Sequence, residues 1–92
     1  MEIKKVKGED KGEVMLYALS TCGWCRKTKE LLNSMGVEYS FVDVDLVPGP
    51  DKDVVMNQVK TWNPACSFPT LVINKKCIVG YKDDQIKAAL SK

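Results

Sequence analysis

Val14-Met15-Leu16-Tyr17-Ala18-Leu19 runs through Ser20-Thr21 into Cys22-Gly23-Trp24-Cys25, and this passage decides the fold. The unbroken apolar run has the character of a strand buried on both faces. From Arg26 onward, Thr28, Leu31, Leu32 and Met35 recur at i, i+3, i+4 and i+7, the stripe of an amphipathic helix, and Gly36 is a natural stop. A strand that delivers Cys-x-x-Cys to a helix N-terminus puts sulfur where the dipole and unsatisfied backbone N–H groups favour the thiolate, the nucleophilic form. Arg26 and Lys27 add positive charge just past the second cysteine. The passage reads as a redox-active thiol–disulfide site.

Two plainer readings compete with it. A structural zinc knuckle needs a second close pair of cysteines or histidines; the chain has no histidine, and Cys66 and Cys77 stand eleven apart. A permanent structural disulfide suits a small secreted domain. The start, Met1-Glu2-Ile3-Lys4-Lys5, is charged and lacks the apolar core of a secretion signal, so a reducing cytoplasm is the expected location. There, paired cysteines cycle or bind metal rather than brace a fold.

The 92 residues suffice for one domain with a modest core, and a net charge of +2 gives no argument for nucleic acid or a membrane surface. No apolar stretch is long enough to span a bilayer. Residues 1–12 form a charged N-terminal extension ahead of a domain at 13–92; the extension is expected either to fray or to dock Ile3 and Val6 as a short extra strand. Tyr39 to Asp45 reads as a second strand, Val47-Pro48-Gly49-Pro50 as a loop, and Asp51 or Asp53 as the cap of a helix carrying Val55, Val59 and Trp62. Asn63-Pro64 ends that helix. Thr70–Ile73 and Cys77–Val79 read as strands of a hairpin across Asn74-Lys75-Lys76, and Lys82 to Leu90 as a last helix with Ile86, Ala89 and Leu90 on one face. The order β-α-β-α-β-β-α predicts a four-stranded mixed sheet with helices on both faces.

That order, with a dithiol after the first strand, resembles the thioredoxin fold and, within it, the glutaredoxin family, over residues 14–91. Cys22 to Leu32 is similar to the family's active-site helix, Phe68-Pro69-Thr70 to its cis-proline segment, and Ile78 to Asp84 to its glycine-containing turn into the last helix. The resemblance implies a disulfide oxidoreductase in which Cys22 attacks and Cys25 resolves, cycling through a Cys22–Cys25 disulfide, with no tightly bound cofactor or metal. It also implies a substrate- and thiol-binding surface of Trp24, Phe68, Pro69, Thr70, Gly80, Tyr81 and Lys82. Partners would be disulfide-containing proteins and a low-molecular-weight thiol or a reductase, served by a monomer.

Two departures from the family pattern bear on the electron donor. Leu19 stands where dithiol glutaredoxins carry a lysine for glutathione, and Lys82 stands where the last helix opens with Ser, Thr or Asp. Gly80-Tyr81-Lys82 is similar instead to the turn of NrdH-redoxins, which thioredoxin reductase reduces. The implied donor is therefore that reductase or a small anionic thiol other than glutathione, such as coenzyme M, with Lys82 at a helix N-terminus favouring the anion. Gly23 carries one alternative, a [2Fe–2S] cluster bridged between two subunits with Cys22 as ligand. Cys66 reads as a partly buried loop residue within reach of the rim, and Cys77 as core.

Overall fold

The computed structural model describes residues 3–91. Its sheet has five strands, β1 (Lys4–Val6), β2 (Val14–Ala18), β3 (Tyr39–Asp43), β4 (Thr70–Ile73) and β5 (Lys76–Val79), in the spatial order β1-β3-β2-β4-β5. Three helices join them: α1 (Gly23–Ser34), α2 (Gly49–Trp62) and α3 (Asp83–Leu90). β2 and β3 are parallel and the other pairings antiparallel, so the α/β class and the mixed sheet are those expected.

Alternation along the central strands explains the layers. Leu16 and Ala18 of β2, with Leu71 and Ile73 of β4, share a core with Cys25 and Leu32 of α1 and Ile86 and Leu90 of α3. Tyr17 and Val72, one residue out of phase, meet Val42 together with Val55 and Val59 of α2. A strand buried on both faces must be apolar at every position, and β2 is. None of the described helices is long and apolar enough to cross a membrane.

The strand count corrects the four-stranded expectation. Lys4, Lys5 and Val6 pair with Phe41, Ser40 and Tyr39, adding an outer strand beside β3. Val6 packs against the α1/α3 core while Lys4 and Lys5 stay exposed, and Lys5 Nζ lies 3.4 Å from Glu38. Lysines on an exposed edge discourage pairing with another chain. Met1 and Glu2 of the expected extension, and Lys92, lie outside the described residues.

Several boundaries differ for local reasons. β3 stops at Asp43 because Val44–Leu46 tightens into a 3-10 turn that buries Val44. The expected loop at 47–50 is partly helix: α2 begins at Gly49 with Pro50 in its first turn, where a missing N–H costs nothing. Pro48 therefore occupies the cap without a side-chain bond, and Asp51 sits inside the first turn, facing the positive end of the dipole. The hairpin turn is only Asn74-Lys75, with φ of 48° and 70°, the two left-handed residues of a type I′ turn, so β5 starts at Lys76.

Candidate active site

The approach to the dithiol is a braced turn. Cys22 N–H donates to Leu19 C=O at 3.2 Å, and both the N–H and the hydroxyl of Ser20 donate to the Asp45 carboxylate, the N–H at 2.8 Å. Those two bonds hold the Asp45 carboxyl below its ordinary value. Cys22 then takes the N-cap of α1 in an extended conformation, and its Sγ accepts the Cys25 N–H at 3.2 Å. Sulfur thus stands where a cap oxygen usually satisfies the orphan donors of the first turn.

The two thiols have opposite surroundings. Cys22 is half-buried, whereas Cys25 is fully buried against Leu16, Ala18 and Ile86, and both are unbridged. Burial, followed by its hydrogen bond to Cys22, pushes the Cys25 thiol up to about 12, against smaller opposing effects from the Leu19 backbone and the Lys29 ammonium. One sulfur is accessible and served by a donor; the other is held back as a neutral thiol next to it. This asymmetry suits sequential attack by two thiols on one disulfide.

An aromatic cleft opens beside the pair. Trp24, Phe68, Pro69, Gly80 and Tyr81 line a space of about 230 Å³. Trp24 is 58% exposed and stacks on Tyr81 with centroids 5.8 Å apart, and Lys27 Nζ lies 4.9 Å from the Trp24 ring centre. The Phe68–Pro69 peptide is cis, and Gly80 N–H donates to Pro69 C=O at 2.9 Å, tying the two walls together. Gly80 has φ +84°, a conformation that costs a glycine little and lets the chain turn toward α3.

Other residues singled out in the sequence lie elsewhere. Thr70 sits in the core, its hydroxyl donating to Ser67 C=O at 2.7 Å and accepting from Asn63 Nδ2 at 3.1 Å. The buried Asn63 also reaches the Ser67 carbonyl and hydroxyl, so it shapes the loop that carries Phe68-Pro69. Lys82 is exposed at the start of α3 and is not part of the cleft wall; Asp83 and Asp84 occupy the first turn, and Asp83 Oδ1 accepts the Asp84 N–H at 3.0 Å. Attraction for an anion there rests on the Lys82 side chain, because the helix end already carries two carboxylates. Cys66 has φ 54° and packs, half-buried, on the α2 side with Leu19. Cys77 is half-buried on β5 opposite Val72, and burial raises its thiol.

A protein-family model described as Glutaredoxin matches residues 14–78. The chain belongs to the glutaredoxin family, whose members are thiol–disulfide oxidoreductases. Glutaredoxin-1 of Sus scrofa is 30% identical over 73 residues, which cover 78% of this chain and 69% of that protein. The crystal structure of Methanosarcina acetivorans methanoredoxin is similar at 46% identity and a TM-score of 0.89, covering 92% of this chain and 90% of the other. That of the glutaredoxin from Methanosarcina mazei Go1 gives 43% identity and a TM-score of 0.90, with coverages of 98% and 88%.

Within this glutaredoxin-family site, no group of three or more Cys, Asp or Glu side chains among the described residues is arranged to hold a metal ion. A Cβ placed on Gly23 would meet nothing within 4 Å, so packing does not call for glycine between the cysteines. Two polar pairs went unread in the sequence: the Ser20–Asp45 clamp, and an ion pair from Lys29 Nζ to Asp43 Oδ1 at 2.9 Å. Helical spacing offered one signal, since Lys29 lies four residues after Cys25 and therefore one turn along the same face. Nothing local in the sequence pairs it with the end of β3.

Proposed function

We propose that this protein reduces disulfides of proteins or small molecules through Cys22 and Cys25, and that a small anionic thiol other than glutathione returns it to the dithiol state. The observation that carries the chemistry is the cap geometry, with Cys25 N–H 3.2 Å from Cys22 Sγ and Cys25 itself fully buried. Cys22 attacks a substrate sulfur, the S–S bond breaks, one thiol leaves and the other stays on Cys22 as a mixed disulfide. Cys25 then loses its proton and attacks Cys22 Sγ; a Cys22–Cys25 bond forms, the mixed disulfide breaks, and the departing thiolate takes up a proton.

The donor reading rests on the rim. Leu19 is turned into the α2-side core, while Arg26, Lys27 and Lys82 are exposed cations near the site's two ends. The likeness to two Methanosarcina proteins makes coenzyme M, a sulfonate-bearing thiol, the first donor to try. The test is reduction of the oxidised protein by coenzyme M, by glutathione, and by thioredoxin reductase with NADPH, side by side. Coenzyme M is expected to work at concentrations where glutathione does not, and Lys82→Ala to weaken its use by about fivefold or less, as befits an exposed ion. Efficient reduction by glutathione, or by the reductase alone, overturns the donor reading and leaves the dithiol chemistry standing. A cytoplasmic, reducing setting fits such a cycle. The alternative reading, a [2Fe–2S] cluster bridged between two subunits with Cys22 as ligand, rests on Gly23, and anaerobic reconstitution followed by visible absorption discriminates it from the dithiol cycle.

A further inference from the structure

The nucleophile hangs on a turn whose middle has nothing apolar to hold it. Leu19, at one end, packs half-buried into the α2-side core, and Cys22, at the other, caps α1, where its C=O accepts the Arg26 N–H at 3.0 Å. Ser20 and Thr21 between them are exposed. The turn's own bond, from Cys22 N–H to Leu19 C=O, is at the long end of the usual range, 3.2 Å. What fixes the middle is Asp45, whose Oδ1 accepts the Ser20 N–H at 2.8 Å while its Oδ2 accepts the Ser20 hydroxyl. Two such bonds to one carboxylate set direction as well as distance. Asp45 has its own footing. It belongs to the Val44–Leu46 turn, closed by Val47 N–H to Val44 C=O at 3.2 Å over the buried Val44, and its C=O accepts Lys52 Nζ of α2 at 3.5 Å. The Ser20 hydroxyl and N–H keep the carboxyl below its ordinary value, so the acceptor is ionised at neutral pH. Water would satisfy both donors of an exposed serine, so what the carboxylate adds is place.

We propose that Asp45 positions the nucleophile: by clamping Ser20 it fixes the turn that sets Cys22 Sγ at the helix cap, 3.2 Å from the Cys25 N–H. An attacking sulfur must approach along the axis of the S–S bond it breaks, so a turn free to swing spends less time in attacking geometry. Ser20 and Asp45 touch no reacting atom and stay chemically unchanged. The electrons of the new S–S bond come from the Cys22 thiolate, and the leaving thiolate carries away the pair of the bond that breaks. Both are thus positioning residues. The inference rests on the dithiol reading and adds what holds its first thiol in place.

The experiment mixes reduced protein, in a Cys66→Ser and Cys77→Ser background, with less than one equivalent of dithiodipyridine. This chromogenic disulfide is uncharged at neutral pH, so repulsion by the Asp45 carboxylate does not enter. The first coloured thiol released reports attack by Cys22. Asp45→Ala, which removes both bonds, is expected to slow that release about three- to tenfold, and Ser20→Ala, which removes one, about twofold. Asp45→Asn should stay within about twofold of the parent, because its Oδ1 still accepts the Ser20 N–H and its Nδ2 can donate to the hydroxyl oxygen. Adding Ser20→Ala to Asp45→Ala should slow the release no further, since the partner is already gone. Denaturant unfolding of each variant separates positioning from stability: a purely stabilising clamp shifts the midpoint and leaves the first release as in the parent. An unchanged first release in Asp45→Ala, Asp45→Asn as slow as Asp45→Ala, or additive slowing in the double variant overturns the proposal. A first release as fast in Cys22→Ser as in the parent overturns instead the dithiol reading beneath it.

Discussion

The two ends of β2 are built from similar materials and do different things. Its C-terminal end opens onto Cys22, Cys25 and the cleft of about 230 Å³ between Trp24, Phe68 and Tyr81. Its N-terminal end meets a larger space, about 530 Å³, lined by Asp10, Gly12, Glu13, Glu38, Asn74 and Lys75. The larger space belongs to a structural clasp. Asn74 accepts the Glu13 N–H at 2.9 Å through its side chain and donates to Lys11 C=O at 3.2 Å, while its own backbone N–H donates to Glu13 C=O at 2.8 Å. Gly12, at φ +104°, makes room for it, since a Cβ there would stand 2.2 Å from Asn74 Oδ1. At that end hydrogen bonding is spent within the chain, whereas the dithiol end keeps a reactive sulfur at a helix cap and aromatic surface facing solvent. Unspent chemistry, rather than volume, marks the site.

The sharpest way to break this contrast is Cys22→Ser, which is expected to abolish disulfide reduction while leaving thermal unfolding nearly unchanged. Retained turnover would mean that the reactive sulfur lies elsewhere. Next in size is Gly12→Ala at the opposite end. Strained backbone and a crowded Asn74 should cost about 1–3 kcal/mol in denaturant unfolding, with activity per folded molecule preserved. A loss of specific activity would connect two ends that the contrast separates.

Alkaline stability divides the reduced and oxidised forms. The reduced native state keeps a proton on Cys25 up to about 12, while an ordinary thiol loses it near 9.0. Between those values the native state binds more protons than the unfolded chain, so this contribution is full at lower pH and is lost as pH rises through that window. Burial also raises Tyr17, Tyr39 and Cys77, with the same sign, but these groups are present in both redox forms. Unfolding curves of the two forms from pH 8 to 11 should therefore differ in slope, the reduced form falling faster; parallel slopes would remove Cys25 as the cause. The smallest effect belongs to the rim. Trp24→Ala gives up the stack on Tyr81, which should cost about 0.5–1.5 kcal/mol in unfolding, and removes the exposed aromatic face of the cleft, so an aromatic contact of similar size lost from a disulfide substrate should raise its KM about two- to tenfold.

What the sequence disclosed follows from where its patterns are local. The dithiol strand and α1 were legible because an apolar run and a helical stripe meet at Cys22. The hairpin and α3 were readable for similar reasons, although the turn proved one residue shorter than Asn74-Lys75-Lys76 and α3 starts at Asp83 rather than Lys82. β1 was ambiguous because three residues, two of them lysine, carry almost no period, and only the Ser40 and Phe41 backbone opposite decides their fate. The start of α2 was hidden by Pro50, which forbids a helix interior yet suits a first turn. At the site, five of the residues singled out by resemblance share one cleft, while Thr70 is occupied in the core by Asn63 and Ser67 and Lys82 stands outside the wall. The Ser20–Asp45 and Lys29–Asp43 pairs were illegible because each joins residues 14 or 25 positions apart through tertiary structure alone.

The most direct measurement is mass mapping of the adduct formed when Cys25→Ser is given a small disulfide under conditions where the unsubstituted protein turns it over. Without a resolving thiol, the mixed disulfide should accumulate, one substrate thiol per chain, on Cys22. An adduct confined to Cys66 or Cys77, or none at Cys22, would contradict the assignment of attack to the helix cap and resolution to the buried thiol beside it.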